Sequence, residues 1–207
     1  MDNYLAGRSC GKLVKEALPN GGSVALFIGR LEQDNARRRR QGVIDELLDR
    51  SSDSTRYDSP GATLENSRYQ IVSTMTDQFD RAKGKANVED TLSRFPELNA
   101  MVGLFAYNTP LILEALSQQS KLGKVKVVSF DEADETLAGI QNGTVYGTVV
   151  QSPYQYGYQS VALMAQLAKG VKVKLPNDQF IDIPANQIRY SNLASFWDDL
   201  KQKIGKK

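Results

Sequence analysis

The chain has 207 residues, 41% of them hydrophobic and 24% charged, with a net charge of +2, no histidine and a single cysteine, Cys10. That length is enough to bury a real core. Without histidine there is no Ser-His-Asp or Cys-His relay and no HExxH zinc site, and one cysteine forms neither an internal disulfide nor a thiolate zinc cluster. The small net charge gives no reason to expect nucleic acid as a partner.

Taken in order, the elements alternate. A helix is predicted over Asn3–Leu18, broken by Pro19-Asn20-Gly21-Gly22. Cys10 lies within its helical spacing and reads as a small packed residue. The run Ser23–Ile28 reads as a buried strand, followed by a helix over Asn35–Asp49. In this helix Arg38 and Arg40 read as a solvated face. Ser51–Asn66 reads as an exposed loop. Strands follow at Tyr69–Met75, Ala100–Ala106, Val125–Phe130 and Val145–Val150. Helices alternate with them at Asp80–Phe95, Thr109–Ser120, Glu132–Asn142 and Pro153–Lys169. A short strand at Phe180–Ile183 and a closing helix near Leu193–Ile204 complete the chain. No window approaches the roughly 18 apolar residues of a membrane span, and no signal peptide is visible.

Strands separated by helices through short connections imply βαβ units. The expected fold is α/β, a doubly wound parallel sheet with helices on both faces. Near-continuous apolar strands such as VALFI and VKVVSF suit a sheet buried on both sides. Ligands of such sheets bind beyond the carboxyl ends of the strands. Arg37, Phe79, Asn108, Asp131 and Gln151 fall in those turns. Planar polar groups can pair with adjacent hydroxyls, and an aromatic ring can stack on a C–H face. A sugar offers both. Asp131, Glu132, Asp134 and Glu135 read as helix-start acids rather than a metal site. Tyr154, Tyr156 and Tyr158 form no single stripe and read as packing and lobe-contact residues rather than a stacking platform.

The same segments resemble the sugar-binding proteins of bacterial ABC importers, of the ribose-binding type. DNYLAGRSCGKLV resembles the stretch where that family's chain crosses from its first lobe into its second. NARRRRQGV resembles a helix start that places Arg37 at the ligand arginine, and DQFDRAKG places Phe79 at the stacking ring. FAYNTPLILEAL, VVSFDEADETLAGIQNG and GTVVQSPYQYGYQSV place Asn108, Asp131 and Gln151 at ligand positions. Thr109, Glu132 and the long loop Ser51–Asn66 depart from the family's pattern.

The resemblance implies a non-enzymatic pentose- or hexose-binding component, periplasmic, without a cofactor, that partners a membrane permease. It also implies a first lobe supplying the opposite wall, which these residues do not include. Residues 1–150 then correspond to the second lobe. Residues 151–207 correspond to the hinge crossing, the long helix and a C-terminal segment that packs on the other lobe or closes the fold. A lone lobe exposing that surface is expected to self-associate. The alternative is the sugar-sensing core of a LacI-type regulator, although no helix-turn-helix head is present. A doubly wound enzyme is disfavoured, because no GxGxxG, Walker A or nucleophile elbow follows any strand.

Overall fold

The structure, a computed structural model, describes residues 1–205. Five parallel strands form the centre of its sheet. They are β1 (Gly22–Ile28), β3 (Tyr69–Thr76), β4 (Ala100–Gly103), β5 (Lys126–Phe130) and β6 (Gly147–Val150). Their order is β3-β1-β4-β5-β6, with β2 (Leu64–Glu65) and β7 (Asn186–Arg189) added antiparallel at the two edges. The expected parallel sheet is thus the core of a mixed, seven-stranded one.

Alternation along the strands explains the two layers. Val24, Leu26 and Ile28 of β1 join the core beneath α1 (Asn3–Ala17) and α2 (Asp34–Leu47). Ala25 and Phe27 of the same strand join the opposite core. That second layer is made by α3 (Arg81–Arg94), α4 (Asn108–Gln118), α5 (Asp134–Asn142) and α7 (Tyr190–Ile204). Cys10 is fully buried in the first layer, and this burial pushes its thiol up to about 12. It is a packed residue, as its spacing suggested.

The helices α1 and α2 touch backbone to backbone. A Cβ at Gly42 would stand 2.1 Å from the carbonyl oxygen of Tyr4, and one at Gly7 2.1 Å from that of Arg39. Only glycine permits this approach. A buried polar network extends from the contact. Tyr4 Oη donates to Asp45 Oδ2 at 2.8 Å, and Arg56 lies 2.7 Å from the same carboxylate. Gln41 donates to Asp45 and to Asp58, and Arg50 lies 2.6 Å from Asp58. Residues 51–66 are therefore fastened to α2, and their end contributes β2.

Two expectations are corrected here. Arg40 is buried, not solvated. Ala36, Arg40, Val43, Ile44 and Leu47 share one face of α2, so the helical period carries Arg40 inward. Its guanidinium donates to Thr74 Oγ1 and to the carbonyls of Asp58 and Ser59, which makes its burial tolerable. Arg38 is indeed at the surface, paired with Asp34. The last strand is not Phe180–Ile183 but Asn186–Arg189. Phe180 and Ile181 stand exposed with no strand beside them, whereas Asn186–Arg189 pair with β6 through backbone bonds that demand no apolar side chains.

Between β6 and β7 runs α6 (Pro153–Ala168), none of whose residues is buried. Tyr154 and Tyr158 stack on its surface with centroids 6.3 Å apart. No helix among the described residues is long and apolar enough to cross a membrane.

The α1–α2 contact yields a direct test. Gly42→Ala drives a methyl group into the Tyr4 carbonyl and is expected to cost about 3 kcal/mol of stability. A urea-unfolding midpoint equal to that of wild type would contradict the close approach.

Candidate functional site

All five parallel strands point their carboxyl ends to one edge, and the order reverses beside β1. The turns that follow β3, β1, β4, β5 and β6 therefore converge there. They carry Asp77 to Phe79, Gly29 and Arg30, Phe105 to Asn108, Asp131 and Glu132, and Gln151 respectively.

Phe79 lies at the end of β3. Gln78 and Phe79 both have left-handed backbones, with φ of +60° and +63°. Such conformations are costly for non-glycine residues and persist only where surroundings impose them. Here Asp77 imposes them. Its carboxylate accepts from the Phe79 N–H at 2.8 Å, which closes an Asx turn. The ring is held edge-on against Phe105 and Tyr107, at 5.8 and 6.3 Å between centroids. Arg30 caps it at 5.4 Å. Gly29 lies beneath, where a Cβ would stand 2.4 Å from the ring. The ring is nonetheless 42% exposed.

Asn108 opens α4 and is only 2% exposed. Its amide Nδ2 donates to Asp77 at 3.0 Å, and its Oδ1 accepts from the Phe105 N–H at 3.0 Å. One amide N–H and one oxygen lone pair are thus spent within the protein. Thr109, the next residue, is fully buried and bonds Ser129 hydroxyl to hydroxyl at 2.6 Å. This ties the start of α4 to β5.

Asp131 follows β5 with a left-handed backbone of φ +68°. Its N–H donates to Val149, and its carbonyl accepts from Thr148 Oγ1. Gln151 Nε2 donates to Asp131 Oδ1 at 2.7 Å, and Arg39 Nη1 stands 3.7 Å from Oδ2. Arg39 itself is 3% exposed. It donates to Asn3 and to the Leu104 carbonyl, and lies over the rings of Phe130 and Phe105 at 4.1 and 5.5 Å. Burial lowers its pKa, and Asp131 opposes that shift.

The structure thus joins Asp131 to Gln151, and Phe79 to Asn108 through Asp77. Phe105 links the two groups, since it touches both Phe79 and Arg39. Arg37 stands apart from them. It is exposed at the start of α2 and paired with Asp34 at 3.0 Å. The arginine that reaches Asp131 is Arg39. Spacing on α2 carries the signal for it, because Arg39 stands three residues after buried Ala36 and four before buried Val43. Asp77 could have been found as the acceptor of an Asx turn. Phe105 and Tyr107 carry no separate signal, being apolar positions beside a strand end.

Comparison with known proteins follows from this geometry. The family described as periplasmic binding protein domain matches residues 1–172. The chain belongs to that family. It is 25% identical over 175 residues to the ribose import binding protein of Salmonella typhimurium, covering 84% of this chain and 52% of that protein. It is 24% identical over 189 residues to the D-allose-binding periplasmic protein of Escherichia coli, covering 87% and 55%. The chain spans about half the length of the curated relatives it matches. Among solved structures it resembles a glucose-galactose binding protein from Geobacillus stearothermophilus, with a TM-score of 0.76, 25% identity, and coverage of 93% and 62%. A solute-binding protein from Burkholderia graminis in complex with D-arabinose also gives 0.76 and 25%, covering 94% and 62%. The periplasmic binding protein fold accounts for the parallel core.

Glu132 offers a test of the site's electrostatics. Burial, and then the neighbouring Asp131, raise it from an ordinary 4.5 to about 6. The folded state therefore holds this proton more tightly than the unfolded chain. The contribution of Glu132 is most favourable below pH 4.5, is lost as pH rises to 6, and stays lost above it. Glu132→Gln is expected to raise stability at pH 7.5 by about 1 kcal/mol, a figure already reduced for partial exposure, and to give no gain at pH 4. Equal unfolding midpoints for the two proteins at pH 7.5 would contradict it.

Proposed function

We propose that this chain carries one wall of a sugar-binding cleft, as part of a solute-binding protein of an ABC-type importer. The observation that carries this reading is the Asp131 carboxylate. It is held in a left-handed turn between Gln151 and Arg39, on the same edge as the exposed ring of Phe79. A carboxylate with fixed partners accepts from two adjacent hydroxyls, and an exposed ring covers the C–H face of a pyranose or furanose. Gln151 and Arg39 add donors, and Asn108 completes the set from inside the protein. The ligand is a pentose or a hexose. The names of the relatives, with ribose, allose, arabinose, glucose and galactose among them, support that class.

The role is binding rather than catalysis, with no cofactor. The opposite wall comes from outside these residues, and the two walls close on the sugar by hinge bending. We assign residues 1–150 to the sugar-binding lobe. We assign residues 151–207 to the crossing, where α6 presents Tyr154, Tyr158, Val161 and Met164 uncovered. The other lobe covers this face, and a chain without it self-associates through it. A periplasmic location and a membrane permease as partner complete the proposal.

The test uses saturation-transfer NMR of pentoses and hexoses with the 207-residue chain. At least one sugar is expected to show transfer, at low affinity because only one wall is present. Asp131→Ala is expected to weaken that binding by about 2–3 kcal/mol, as for loss of a charged hydrogen-bond partner. Transfer that is undiminished in Asp131→Ala, or absent with every sugar, would overturn the assignment.

A further inference from the structure

Glu132 follows Asp131 directly and takes no part in holding the turn. It is half-buried, yet among the described residues no other residue donates to its carboxylate and no basic group forms an ion pair with it. It does not cap α5 either, because that helix begins at Asp134, after Ala133, without a side-chain cap. Burial and the charge of Asp131 both act against its ionised form. A half-buried carboxylate in this state costs stability, which is why Glu132→Gln is expected to stabilise the fold. A group kept at such a cost points to a task other than folding.

Glu132 lines a cavity of about 280 Å³ bounded by the turn after β5, the start of α6 and one face of α7. The charged residues of its lining are Glu132, Asp199 and Lys203. The Lys203 ammonium is already engaged, 2.5 Å from Asp199 and 5.2 Å over the Tyr154 ring. Asp199 thereby has its counter-charge, and Glu132 has none. The lining as a whole holds two carboxylates and one ammonium. Gln151 and Asn186 add neutral hydrogen-bonding groups, and Tyr154 adds apolar surface.

The deficit is a single positive charge. A metal ion needs a larger set of ligands, and no group of three or more His, Cys, Asp or Glu side chains among the described residues could hold one. An ammonium needs only one carboxylate, to which it donates short, charge-assisted hydrogen bonds. Gln151 joins the cavity to the sugar edge. It lines the cavity, and its Nε2 donates to Asp131 Oδ1 at 2.7 Å. The cavity therefore adjoins the place of a ring held by Asp131.

We propose that Glu132 is a specificity-determining residue, and that the sugar taken at this edge is an amino sugar whose primary ammonium group pairs with it in the cavity beside Gln151. The proposal rests on the sugar-binding reading for where the ring sits. It rests on the unpaired carboxylate and its cavity for the ammonium. The probes are D-glucosamine and D-galactosamine against D-glucose and D-galactose, with N-acetyl-D-glucosamine as the uncharged control. Binding is followed by saturation-transfer NMR of the 207-residue chain at pH 7. Each amino sugar is expected to bind about tenfold more tightly than its neutral parent, and the N-acetyl sugar to lose that advantage with its charge. Glu132→Gln removes the charge and keeps the shape, and is expected to bring the ratio to about one. Equal binding of D-glucosamine and D-glucose to the wild type overturns the proposal and leaves the sugar-binding reading standing. An advantage that survives in Glu132→Gln also overturns it, because the ammonium would then be held elsewhere.

A second readout needs no sugar ring. In protein with 13C-labelled glutamate carboxyl groups, the Glu132 resonance is identified by its loss in Glu132→Gln. Ethanolammonium chloride is expected to shift it more than potassium chloride at the same concentration. Equal shifts overturn the proposal. Silence from every sugar refutes the sugar-binding reading, and the ethanolammonium shift then decides alone whether Glu132 takes an ammonium.

Discussion

Parallel pairing is the constraint on which the rest depends. Five strands run in one direction and are buried on both faces, so each must return through a helix. Every return begins at the same edge. The polar side chains that cannot enter either core collect there, in turns whose backbones are fixed by the strands below. Asp77, Phe79, Asn108, Asp131 and Gln151 come from four different turns and meet because of this topology alone. No local sequence feature holds them together.

Convergence does not by itself make a site. The turns must also be held in shapes that a free chain would avoid. Gln78, Phe79 and Asp131 all have positive φ without being glycine. Each is stabilised by a bond to a neighbouring strand or turn, through Asp77 in one case and through Thr148 and Val149 in the other. The cost of strain is met by buried hydrogen bonds, and the result is a set of turns whose shape the fold fixes. Arg39 serves both purposes. It neutralises Asp131 from below and fills the gap between Phe105 and Phe130 with its guanidinium plane.

Much of this was legible in the amino-acid order. Runs such as VALFI and VKVVSF announce two-sided burial, and the breaks between them locate the turns. What escaped is instructive. The edge strand Asn186–Arg189 has no apolar alternation because only its backbone is needed, while the more strand-like Phe180 and Ile181 find no partner. Residues 51–66 look like a free polar loop, but Asp58, Arg56 and Asp53 find partners on α1 and α2 that are distant in sequence. The four arginines of α2 show the same limit. Arg37 and Arg38 face solvent, and Arg39 and Arg40 are buried, a division that the apolar spacing of Ala36, Val43, Ile44 and Leu47 would have drawn. Charge alone misplaces two of them.

The central claim is that a monosaccharide binds at the carboxyl edge of the sheet. Its most direct test is the backbone amide spectrum of the 15N-labelled chain as D-ribose, or another pentose or hexose, is added. The account predicts that shifts concentrate at Phe79, Tyr107, Asp131, Glu132 and Gln151 and leave α6 and the amino ends of the strands unmoved. Shifts confined to α6 or to the amino ends, with the carboxyl edge unchanged, would contradict it.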